Sequence, residues 1–163
     1  MRRMTMTMLA SAAMLVSACV NGTMSLPTVA NDADSIATGL AAAAKDLRAA
    51  NLLSAAQLVQ VDNALSAVQA AASGVAMASS KTAAQPEVVQ LAGAVNAMVA
   101  ALSEVPTLPA PVPEILAAAN VMLPVLETAV GLPAPVGGTP SAMTPAEAAH
   151  ILAEQAADFR AGG

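Results

Sequence analysis

Tryptophan and tyrosine are missing from this 163-residue chain, and phenylalanine, cysteine and histidine occur once each, as Phe159, Cys19 and His150. Large aromatics anchor most ligand pockets and interface hot spots, so there is little material for a specific small-molecule site. A lone cysteine has no intramolecular disulfide partner. Basic residues are scarce as well: two of the six are Arg2 and Arg3, and from Cys19 onward Lys45, Arg48, Lys81 and Arg160 face eleven acids, a net charge of −7. Such a chain repels phosphate backbones and offers no stacking surface for bases, which argues against nucleic acid binding.

What is abundant is alanine, with 43 residues. Alanine is the best helix former, and its small side chain lets helices approach closely. The composition therefore points to an all-α protein, an alanine-rich bundle with the character of a scaffold. The 145 residues from Cys19 onward suit one domain.

The N-terminus has its own layout. Arg2 and Arg3 form a basic head, Met4 to Val16 is an uncharged and mostly apolar run, and the small residues Ser17 and Ala18 precede Cys19. That order is the layout of an export signal. The run is 13 residues long, too short for a spanning helix of about 20 residues.

Val16, Ser17, Ala18 and Cys19 together resemble the lipobox of bacterial lipoproteins, an aliphatic residue and two small ones before an obligatory cysteine. The resemblance implies that residues 1–18 are a signal peptide and that Cys19 becomes the acylated first residue of the mature chain. It would also explain the leftover thiol. The implied partner is a lipid bilayer, held through two or three acyl chains, since each buried methylene contributes about 0.8 kcal/mol. Val20-Asn21 lacks the aspartate that retains enteric members of the class at the inner membrane, which points to an outer-membrane location in the cell envelope.

Periodicity organises the rest. Residues 19–28 read as a lipidated tether and 29–130 as a helical bundle. The first helix is expected over 29–50, on Val29, Ala33, Ile36, Leu40, Ala43, Leu47 and Ala50, with Asn31, Asp32 and Asp34 at its start. Ser54-Ala55-Ala56-Gln57 is a capping box that opens the second helix, whose stripe is Leu58, Val61, Leu65, Val68, Ala72 and Val75. Pro86-Glu87 marks the start of a third helix, with proline in the first turn. Its stripe is Val88, Leu91, Val95, Met98, Leu102 and Val105, and none of the 16 residues between Glu87 and Glu104 is charged. An apolar surface nearly all round makes this the expected central helix, with membrane insertion as the alternative.

The pentapeptide Leu-Pro-Ala-Pro-Val occurs twice, at 108–112 and 132–136. Alternate prolines disfavour helix, and rigid inter-helix turns are expected there. A fourth helix runs from Pro113 to about Val130 with Ile115, Ala119, Met122 and Leu126 on one side and a kink expected at Pro124. Residues 131–144 form a Pro/Gly linker. Thr144-Pro145-Ala146-Glu147 is a second capping box, and residues 145–163 form a C-terminal amphipathic helix and tail, with Ala149, Leu152, Ala156 and Phe159 on one face.

The search for chemistry yields no catalytic, cofactor or metal assignment. Glu147 and His150 have the spacing of a di-iron ligand pair, but that centre needs a second such pair and the chain has no second histidine. Asp46, Asp62, Glu104 and Glu127 could converge as paired carboxylates, without the aromatic platforms that sugar sites use. The expectation is a non-catalytic, membrane-anchored lipoprotein with a structural or adaptor role, in which the heptad seams pack internally or against further copies. In lipobox, heptads and scarcity of aromatics it resembles alanine-rich murein-type lipoproteins, although Arg160-Ala161-Gly162-Gly163 lacks the terminal lysine for attachment to peptidoglycan. The alternatives are a membrane-perturbing lysis lipoprotein of the outer-spanin type and a carrier with an apolar groove between the third and fourth helices.

Overall fold

The computed structural model describes residues 24–133 and 142–162. Among the described residues five helices form one bundle: α1 (Leu26–Ala49), α2 (Ala55–Met77), α3 (Lys81–Leu102), α4 (Val112–Ala129) and α5 (Pro145–Ala161). No strand occurs among the described residues.

Helix starts follow local chemistry. Both expected capping boxes form: Gln57 N–H donates to Ser54 Oγ at 3.3 Å while Ser54 N–H donates to Gln57 Oε1 at 2.9 Å, and Thr144 and Glu147 repeat the exchange. Two other helices begin earlier than their stripes suggest. In α1, Ser25 Oγ accepts from Thr28 N–H, and Pro27 occupies the first turn where its missing N–H costs nothing. The tether is thus shorter, and Asp32 and Asp34 lie past the first turn. In α3, Ser80 caps by accepting from Ala83 N–H at 3.1 Å, which places Pro86 inside the helix and not at its start. Proline at that position removes one bond, to the carbonyl of the exposed Thr82, where water can substitute.

Two helix ends share one device. After α1, Asn51 at φ +52° donates to Arg48 C=O and Leu52 donates to Leu47 C=O. After α4, Gly131 at φ +88° donates to Thr128 C=O and Leu132 to Glu127 C=O. Both are Schellman motifs, which satisfy carbonyls that a helix end leaves free and need a residue that tolerates positive φ. The first pentapeptide copy is a turn, as expected: Val112 N–H closes onto Pro109 C=O at 2.9 Å and leads into α4.

The stripes point inward. Every residue of the α3 and α4 stripes is buried, as are those of α1 except Ala50 and those of α2 except the half-buried Leu58. They pack on one another within the chain, and no polar or charged residue is buried among the described residues. Sequential helices α1 to α4 run antiparallel: Arg48 near the end of α1 pairs with Asp62 in the first half of α2, Glu87 near the start of α3 lies over Gly74 near the end of α2, and Gln85 near the start of α3 donates to Val130 C=O at the end of α4 at 2.9 Å.

The central helix is α1, not α3. It packs against α2, α4 and α5, whereas α3 packs chiefly against α2 and α4. Eleven of the 24 residues of α1 are buried, against eight of 22 in α3. Small side chains explain the difference. A methyl group added at Gly39 would lie 3.1 Å from Leu152 of α5 and 3.5 Å from Ile115 of α4, so this glycine lets three helices meet. The last helix docks through buried Ala148, Leu152 and Ala156, with Phe159 half-buried, so α5 is part of the bundle. Among the described residues α4 is the one helix long and apolar enough to cross a membrane, and half of it is buried in the bundle, as a core helix would be.

Candidate functional site

The residues that carry the export and lipidation reading, Val16, Ser17, Ala18 and Cys19, lie outside the described residues, as do Ala134-Pro135-Val136 of the second pentapeptide and the glycine-rich linker after it. What is placed is the point where the chain enters the bundle: Met24 and Leu26 are half-buried against the core, and α1 begins seven positions after Cys19.

The remaining candidate residues are dispersed. His150 Nδ1 lies 3.8 Å from Glu154 Oε2, one helical turn away on the exposed face of α5. Glu147 is fully committed to its cap, where the amide and hydroxyl of Thr144 donate to it and hold its carboxyl below the usual range. Of the four acids considered as a converging set, Asp62 is paired with Arg48. Glu127 lies in the last turn of α4, beside the start of α3, and Glu104 lies just past the other end of α3. Glu127 is therefore at the opposite end of the bundle from Asp46, Asp62 and Glu104, and the four do not meet as one set. Among the described residues no three of His, Cys, Asp and Glu are grouped so as to hold a metal ion.

Among the described residues, two grooves run along neighbouring helices. One of about 400 Å³ runs between α1 and α2, from Ala30 and Asn31 past Ser73 and Ala76, with Phe159 on one side. Its rim is tied by the Asp34–Arg160 ion pair and by Lys45 Nζ, 5.4 Å from the centre of the Phe159 ring. Such a cation–ring contact at an exposed site contributes about 0.5–1 kcal/mol. Both contacts join α1 to the last turn of α5. A second, more open groove of about 750 Å³ follows α2 and α3, with small residues such as Ala67, Gly93, Ala97 and Ala100 along it and Gln60 and Glu104 at one end.

One titratable group stands apart. Burial pushes the Asp32 carboxyl up from 3.8 to about 6, with no ion pair to offset the loss of water. It precedes Gly39 by two helical turns and shares its face of α1. The sequence signal for it, an acid seven residues ahead of an apolar-face glycine, was readable as a cap residue only. Lys45 over Phe159 was equally hidden, because it depends on how α5 crosses α1.

No protein-family model, curated protein or solved structure matches the chain.

Proposed function

We propose that this protein is a bacterial envelope lipoprotein, anchored through acylated Cys19, in which the bundle serves as a non-catalytic structural or adaptor module. The observation that carries the reading is the order of the first 19 residues, a basic head, an apolar run, Val16-Ser17-Ala18 and then the only cysteine in the chain. Its physical logic is that of a reusable anchor: acyl chains supply membrane affinity without requiring any apolar surface from the folded part.

The bundle fits that division of labour. Its stripes are spent on its own core, so it needs no membrane to stay folded. Among the described residues its titratable groups are dispersed or used in caps and helix-to-helix pairs, which suits a spacer or docking body better than a reaction centre. The outer membrane is the proposed site, on the strength of Val20-Asn21 following the cysteine. Because the heptad seams are occupied, self-association would have to use an outer face and not the seams themselves.

Fractionation of bacteria expressing the full chain tests the anchor. The wild-type protein is expected in the outer-membrane fraction, resistant to salt extraction, while Cys19→Ser is expected to leave the membrane or to accumulate as the unprocessed precursor. Retention of both proteins in the outer-membrane fraction, with Cys19→Ser cleaved like the wild type, would overturn the proposal. Co-purification of a stoichiometric apolar ligand would favour the carrier reading instead, and lysis on expression the membrane-perturbing one.

A further inference from the structure

The lipid anchor proposed above enters the bundle at one of its two ends. The start of α1 lies beside the end of α2, since Ala30 and Asn31 share a groove with Ser73 and Ala76. The start of α3 lies beside the end of α4, because Gln85 donates to Val130 C=O. This end is closed by the turn Met77-Ala78-Ser79-Ser80-Lys81 and by Gly131-Leu132-Pro133, next to Met24, Ser25 and Leu26. Met77 is 80% exposed, the most exposed large apolar side chain among the described residues. Lys81 is the only charge in the three segments named, and it is a cation in a strongly acidic chain. Glu127 lies in the last turn of α4 at this same end, while Asp32, Asp34 and Glu87 lie past the first turns of their helices, with Asp34 paired to Arg160 and Asp32 half-buried.

At the opposite end Asp46 and Arg48 lie in the last turn of α1 and Glu104 lies just past α3, Asp62 sits further in along α2 paired with Arg48, and the α1–α2 turn itself is uncharged with Leu52 41% exposed.

We infer that the α2–α3 turn, through Met77 and Lys81, rests on the bilayer interface and holds the bundle upright on its membrane. This rests on the anchor proposed above. From Cys19 to Met24 the chain can reach no more than about 18 Å, so this end stays within reach of the headgroups. The exposed methionine enters the interfacial region, and the lysine stem lies along it with its ammonium among phosphates. The α1–α2 turn is then held about 35 Å away, the length of a helix of 24 residues, facing whatever the protein meets outside the membrane.

The acylated full chain, reconstituted in vesicles of phosphatidylcholine and phosphatidylglycerol containing a lipid with a quencher at shallow depth, tests the orientation. A fluorophore is attached through a cysteine introduced at the exposed position Ser79→Cys or, at the far end, at the exposed position Ala50→Cys, where φ is negative. Quenching at residue 79 is expected to exceed that at residue 50 about threefold or more, and Met77→Glu with Lys81→Glu is expected to remove most of the difference while helicity is unchanged. Equal quenching at both ends of an acylated, vesicle-bound chain overturns the orientation and leaves the anchor standing. A chain that carries no acyl mass and does not bind vesicles overturns the anchor, and the orientation with it.

Discussion

Helices α1 and α3 have nearly the same length and the same three-four spacing of apolar residues, yet one is the hub of the bundle and the other lies at its side. By hydrophobic content α3 is the stronger candidate for the centre, with no charge between Glu87 and Glu104, whereas α1 carries Asp32, Asp34, Lys45, Asp46 and Arg48. The structure puts α1 in the centre because of what it can admit. Gly39 and the run Ala41 to Ala44 leave room for neighbours on several sides, and all five residues are buried. In α3 the outward Val89, 53% exposed, and Gly93, with open space around it, face solvent without a neighbour. In an alanine-rich bundle, centrality follows close approach of backbones more than hydropathy.

The comparison is open to direct attack. The largest effect is expected from Leu40→Ala in α1, which removes a fully buried side chain and is expected to cost about 2–5 kcal/mol. The matching truncation Val89→Ala in α3 should stay within about 0.5 kcal/mol. Urea titrations of both would break the assignment of the hub if the two losses came out alike.

Next come the glycines. Gly39→Val forces two branched methyls into the junction with Leu152 and Ile115 and is expected to cost about 1–3 kcal/mol. Gly93→Ala meets nothing within 4 Å and restores helix propensity, so a gain of about 0.5–1 kcal/mol is expected. Opposite signs from the same denaturation assay are the result that sharpens the contrast.

The last effect, confined to one pH range, concerns Asp32. Its carboxyl is raised to about 6 in the folded chain, from 3.8. The folded state therefore binds more protons than the unfolded state between those values, and stability contributed by this group is present at low pH and falls as pH rises from about 4 to 6. Asp32→Asn should remove that slope and raise stability at pH 8 by about 1 kcal/mol, a figure discounted because the group is partly solvated, with no gain at pH 4. A parallel pH series of melting temperatures checks it.

The sequence made the existence and type of all five helices legible, along with both capping boxes and nearly every stripe residue, because each rests on chemistry within a few residues. The α1 and α3 starts were readable too, from Ser25-Leu26-Pro27 and Ser80, but the apolar stripes and Pro86 drew attention to later positions. What sequence could not supply was which helices touch. The hub, the crossing of α5 that sets Lys45 over Phe159, and the partial burial of Asp32 all depend on contacts between residues far apart in the chain. Candidate site residues divide the same way: the Cys19 reading rests on its immediate neighbours, while the separation of Glu127 from Asp46, Asp62 and Glu104 emerges only from the topology.

The most direct test of the central claim is the intact mass of the protein purified from a bacterial membrane fraction. The mass expected is that of a chain beginning at Cys19 plus two or three acyl groups with their glyceryl linkage. A chain that begins at Met1, or one cleaved elsewhere with a free Cys19 thiol, would contradict the anchor and the function built on it.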